Sequence, residues 1–164
     1  RLAVLLGSLL RVPFPIEQLD GIVEDDPSIE WKLFVATADL RMSPRCREQL
    51  CSLRHLEAIS LVDLSPSTLA QEDNFSRVMG SRFGSWVSMR QWFKLARAYD
   101  LMLDYEATVG VRFDAVLKTR SDLQLRPPLS LKSFSEISSA VIYGVSDIIF
   151  FCNRVVAGAI LEGM

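Results

Sequence analysis

The apolar positions of this chain follow two rhythms that alternate from one end to the other. Leu2 to Leu10 is an almost unbroken apolar run, the pattern of a strand covered on both faces. "KLFVAT" from Lys32 to Thr37, a run from Glu57 to Val62, and "FDAVLKT" from Phe113 to Thr119 predict three more strands. Between them the rhythm changes to that of a helix. Met89, Trp92, Phe93, Ala96, Tyr99 and Leu103 recur at spacings of three and four and make one broad apolar face, which Gly110 ends as a glycine past the last turn commonly does. Ser43 as N-cap with Pro44 at the first helical position starts another helix, expected to reach Leu53. A short helix is expected at Ile16 to Ile22. Later, "SAVIYG" and "DIIFFCN" predict two strands and "VVAGAILEGM" a closing helix. Residues 65–85 are polar and without period, a length of loop that in a compact domain is usually functional; the expectation is a lid that orders over a ligand.

Strands that alternate with helices predict an α/β domain with a mainly parallel central sheet flanked by helices. Ligands of such sheets bind in the crevice outside the carboxyl ends of the strands. Arg11 follows the first strand, Asp39 the second, and "TRSDL" places Arg120 and Asp122 after the strand that ends on Thr119. The competing explanation of Arg120 and Asp122 is an exposed ion pair with no ligand, a common feature of strand ends.

Composition narrows the functions open to such a domain. The 164 residues suit one domain over 1–164, large enough to bury ~68–70% of the surface of the unfolded chain. The net charge is -2 with the basic residues dispersed, so nothing marks a nucleic-acid partner. Cys46, Cys51, Cys152 and a single histidine, His55, form no zinc-ligand set, and the cysteines read as small, mostly buried hydrophobes, with one disulfide in an oxidising compartment as the alternative. There is no phosphate loop, G-x-G-x-x-G turn or nucleophile elbow. The apolar run near the N-terminus is far short of the ~20 residues that span a membrane, so no membrane span is predicted. The chain opens on Arg1 without methionine and closes on "ILEGM", the expectation being a piece of a longer protein, with the compartment open between cytoplasm and secretory lumen.

The order of "RLAVLLGSLLR", "KLFVATAD", "LDYEATVGVRFDAVLKTRSDL" and "SDIIFFCN" resembles a family of glycosyltransferase-like proteins of the nucleotide-sugar, GT-A type. The resemblance covers nearly the whole chain, from Arg1 to about Ile160, and is most specific from Tyr105 to Leu123. It implies a Rossmann-like fold, a nucleotide-sugar donor, a glycan, lipid or protein acceptor, and a divalent cation, Mn or Mg, as cofactor. Asp122 would stand in the metal-binding acidic motif, Arg11, Asp39 and Arg120 would contact the donor, and Asp147 of "SDIIFF" would lie on the acceptor side. One aspartate stands where many such enzymes carry a D-x-D pair, and "GSLLR" lacks the usual glycine-polar order of the first turn.

The chemistry that the resemblance implies explains these residue types. Breaking a sugar–diphosphate bond develops negative charge on the leaving phosphate, which a cation or an arginine stabilises. An inverting transferase also needs a base for the acceptor hydroxyl, the role that falls to Asp147. Two alternatives stay open. One is a catalytically silent domain of the same fold that binds a glycan or protein; the other is an unrelated α/β domain.

Overall fold

A computed structural model gives the structure; it describes residues 1–7, 16–23, 26–38, 44–70, 86–121, 123, 128, 142–145 and 149–162. All six residues of β1, Leu2–Gly7, are buried, because strands lie on both sides of it and helices on both faces. β1 pairs in parallel with β2, Trp31–Thr37, on one side and with β4, Ala115–Thr119, on the other. Beyond β2 lies β3, Leu56–Leu61, also parallel and half-exposed as an edge strand. Beyond β4 the direction reverses: β6, Ile149–Asn153, runs antiparallel to it, and β5, Ile142–Val145, closes the six-stranded order β3-β2-β1-β4-β6-β5. The fold is thus α/β with a mixed, mostly parallel sheet.

Side-chain alternation divides the core into two layers. Leu2, Val4 and Leu6 of β1, with Leu33 and Val35 of β2 and Leu117 of β4, face a 3-10 helix at Ile16–Gly21 and helix α1, Pro44–Cys51. Ala3 and Leu5, with Phe34 and Val116, face the long helix α3, Trp86–Val109, and helix α4, Arg154–Leu161. Aromatic edges fill the second layer, with the Phe34 ring 5.7 Å from Phe113 and 5.8 Å from Tyr105. α3 stops at Gly110, whose φ of 73° is the left-handed C-terminal conformation that its sequence position calls for.

The 65–85 stretch is not wholly irregular. Pro66–Leu69 form a short helix, α2, with Ser65 as N-cap, and Leu69 is buried against Leu64, Met89 and Phe93. The start signal is the same Ser-Pro pair read at Ser43 and Pro44. Residues 71–85, where the expected lid falls, lie outside the described residues.

The cysteines divide by burial. None of the three forms a disulfide; Cys46 and Cys152 are buried and Cys51 is exposed. Burial pushes the Cys46 thiol up and the Cys152 thiol up to about 11, which starves both of the reactive thiolate. A thiol-specific disulfide reagent at neutral pH is therefore expected to modify one cysteine rapidly in the native protein and three after unfolding. Rapid reaction of two or three in the native state would contradict the packing of α1 or β6.

Candidate functional site

The parallel strands give the sheet two unlike edges. At the amino edge, Trp31 opens β2 and stacks on His55 just before β3, with ring centroids 3.8 Å apart and planes 16° from parallel. This flat contact explains the lone histidine as packing at a strand start, and its Nδ1 lies 3.3 Å from the Trp31 carbonyl oxygen. Asp20 lies at the same edge, accepting from the Arg54 backbone N–H at 3.1 Å.

The carboxyl edge carries the candidate site. Chain path makes it a topological switch: the link from β1 to β2 runs through the 3-10 helix on one face, whereas the return from β3 to β4 runs through α3 on the other. β1 and β4 are therefore neighbours whose connections lie on opposite faces, and beyond the ends of such a pair sheets of this kind generally take ligands. α3 runs antiparallel to the strands and brings Lys94 and Leu95 to the end of β1. There Gly7 admits close contact, since a Cβ on it would lie 2.7 Å from Leu95 N and 2.8 Å from Leu95 Cα.

Alternation along β4 sorts the groups at this edge. Lys118 is opposite Leu5 in register and buried on the α3 side; Arg120, next but one, is partly buried just past the strand. Lys94 is buried on α3 itself. The other face presents hydroxyls: Thr119 ends β4, Thr37 ends β2, and both are buried. The turn after β4 is closed by the Leu123 N–H donating to the Arg120 carbonyl at 3.3 Å. Asp63, beyond β3, is committed to structure. It accepts from Ser65 N, Ser65 Oγ and Thr68 Oγ1 at 2.8, 2.9 and 2.6 Å. Thr68 first, then Ser65, hold its carboxyl below the usual range.

Of the residues singled out in the sequence, Arg120 is at this edge. Arg11, Asp39, Asp122 and Asp147 lie outside the described residues. The described strand ends that flank them share one edge: Gly7, Thr37, Ser121 and the β5–β6 ends Val145 and Ile149, since β5 runs parallel to β4 through the reversed β6. Lys94 and Lys118 were missed by sequence reasoning. Their signal is plain in retrospect: a lysine inside "AVLKT" and another inside "QWFKLA" interrupt apolar runs, and a lysine is almost never fully buried unless paired. Among the described residues no group of three His, Cys, Asp or Glu side chains could hold a metal ion. The described cations and hydroxyls suit a phosphate-bearing ligand and do not by themselves make a cation site. No helix among the described residues is long and apolar enough to cross a membrane.

No protein-family model, no curated protein and no solved structure matches the chain.

Proposed function

We propose that this chain is the donor-binding domain of a glycosyltransferase that uses a nucleotide sugar. The observation that carries the reading is the gathering of Lys94, Lys118 and Arg120 beside the ends of β1 and β4, at the switch point of the sheet. Buried lysines where an aliphatic chain would pack at lower cost are a functional-site signal. The sheet order, four parallel strands continued by a reversed one, is read at finer grain as a Rossmann-like sheet of the GT-A type.

In this reading the diphosphate of the donor lies against the cationic side of the edge. The guanidinium of Arg120 meets phosphate oxygens in the forked geometry that suits them, and it gains strength as negative charge grows on the leaving diphosphate. Arg11 and Asp39, which follow β1 and β2 in the sequence, join the donor contacts. Asp147 takes the proton of the acceptor hydroxyl if the sugar is transferred with inversion.

Calorimetric titration with the diphosphates of uridine, guanosine, adenosine and cytidine, with and without manganese, tests the proposal. The wild type is expected to bind at least one. Arg120→Ala should weaken that binding tenfold or more, the loss of a charge-assisted hydrogen bond of about 1.5–3 kcal/mol. Asp122→Asn tests the metal assignment separately and should remove only the manganese-dependent share. A wild type that binds none of the four, with or without manganese, rejects the donor reading. The silent-domain reading then takes its place, favoured by Arg120-Ser121-Asp122, which supplies a single acid where a D-x-D pair supplies two.

A further inference from the structure

We infer that the nucleoside half of the ligand lies on the face of the sheet opposite α3, hydrogen-bonded to the hydroxyls of Thr37 and Thr119. The inference rests on the nucleotide reading above and adds to it which side of the sheet edge takes which half of the ligand.

Thr37 and Thr119 are 0% and 1% exposed, and neither Oγ1 has a hydrogen-bond partner among the described residues. A buried hydroxyl without a partner is costly, and most buried polar atoms in folded proteins avoid that state. Valine has the same shape and at least as high a preference for strands, so packing alone gives no reason for a hydroxyl at either position. Four side-chain atoms are in this state among the described residues, and they fall into two places. Asp20 Oδ1 and His55 Nε2 belong to the amino edge, while the two threonines end the strands on either side of β1.

The register puts both threonines on one face. Leu6 of β1 is opposite Val35 and Thr119, and Thr37 is two residues beyond Val35. Residues two apart in a strand share a face; Thr37, Thr119 and Leu6 therefore project together, away from α3. Lys118 projects the other way, toward the α3 face. The sheet thus separates a neutral, hydrogen-bonding side from a cationic one. Two strand spacings separate the threonines laterally, ~10 Å, so each meets a different part of a ligand. Hydroxyls both donate and accept, which suits the ribose and base; the ammonium and guanidinium groups across the sheet suit the diphosphate.

Thr37→Val and Thr119→Val test the inference by two readouts that move in opposite directions. Each is expected to leave the Tm of the free protein unchanged or raise it, because an unpartnered hydroxyl is removed. Each should weaken the tightest of the four nucleoside diphosphates roughly three- to tenfold, the worth of one neutral hydrogen bond, and leave the affinity for inorganic diphosphate unchanged. Arg120→Ala should weaken both ligands. Thr37→Ser and Thr119→Ser keep the hydroxyl and should keep nucleotide affinity. If the wild type binds a nucleoside diphosphate and the valine variants bind it equally well, the inference fails while the donor reading stands. A lowered Tm, or an equal loss toward inorganic diphosphate, also overturns it. Absence of wild-type binding to all four rejects the donor reading and this inference with it.

Discussion

Arg154→Met is expected to destabilise the protein by about 3–5 kcal/mol, the cost of leaving one member of a buried ion pair alone. Arg154 starts α4 and reaches back to α3. Its Nη2 donates to Glu106 Oε2 at 3.0 Å, its Nε lies 3.2 and 3.3 Å from the two Glu106 oxygens, and its Nη1 donates to the Tyr99 hydroxyl. The paired side chains are 10% and 11% exposed. Tyr99 in turn donates to Glu162 at 2.8 Å, and the Phe113 N–H donates to Glu106 at 3.0 Å. Burial alone would lower the Arg154 pKa, but the hydrogen bonds and charge of Glu106, with Tyr99 and Glu162, hold it above its ordinary value. Burial first, and then the Glu162 hydrogen bond, push the Tyr99 phenol up against the opposing pull of Arg154. Methionine fills the space and removes all the bonds that Arg154 makes to Glu106 and Tyr99 at once. A drop in Tm on the order of 10 °C follows for a chain of this length. The double variant Arg154→Met with Glu106→Gln should recover part of it, because the uncompensated charge is gone and the Phe113 N–H keeps an acceptor. Equal Tm values for the single and double variants would show that the pair contributes by packing rather than by charge.

Gly7→Val is expected to cost at the upper end of the ~1–3 kcal/mol range for overpacking, or more. Valine is a favoured strand residue, so the backbone of β1 would not object. The obstacle is α3, whose Leu95 backbone stands 2.7 Å from the position a Cβ would take. A flexible side chain could turn away; a helix backbone in the middle of a 24-residue helix moves only as a body. α3 also brings Lys94 to this edge, so the variant should lose nucleotide affinity even where most molecules remain folded. Urea unfolding reads the first effect as a lower midpoint at unchanged slope. A midpoint within experimental error of the wild type would contradict the close approach of α3 to β1.

Much of the architecture is legible in the sequence because its elements bury whole runs. Leu2 to Gly7 and Leu33 to Ala36 are apolar without alternation, which only central strands of a covered sheet require, and the spacing from Met89 to Leu103 fits one helix face. Direction is not written in such runs. "DIIFFCN" reads the same whether its strand runs with its neighbours or against them, and the reversal of β6 depends on a pairing with β4 that local pattern does not encode. Likewise Tyr99 fits the apolar face of α3 by spacing, yet its hydroxyl belongs to a polar cluster completed by Arg154, 55 residues away. The position of Arg120 at the carboxyl edge was legible as a charge that follows a strand end. Lys118 and Lys94 were passed over because each lies within a run whose period was already explained.

The most direct test of the central claim is a map of which backbone amides respond to ligand. Amide resonances of the isotopically labelled wild type, followed by two-dimensional NMR through a titration with the nucleoside diphosphate that binds, would supply it. The account predicts that the shifts concentrate at Gly7, Thr37, Lys94 and Thr119 to Ser121, with Trp31, Arg54 and His55 at the opposite edge unmoved. Shifts centred on Trp31 and His55, or spread without preference over both edges, would contradict a donor site at the carboxyl ends of β1 and β4.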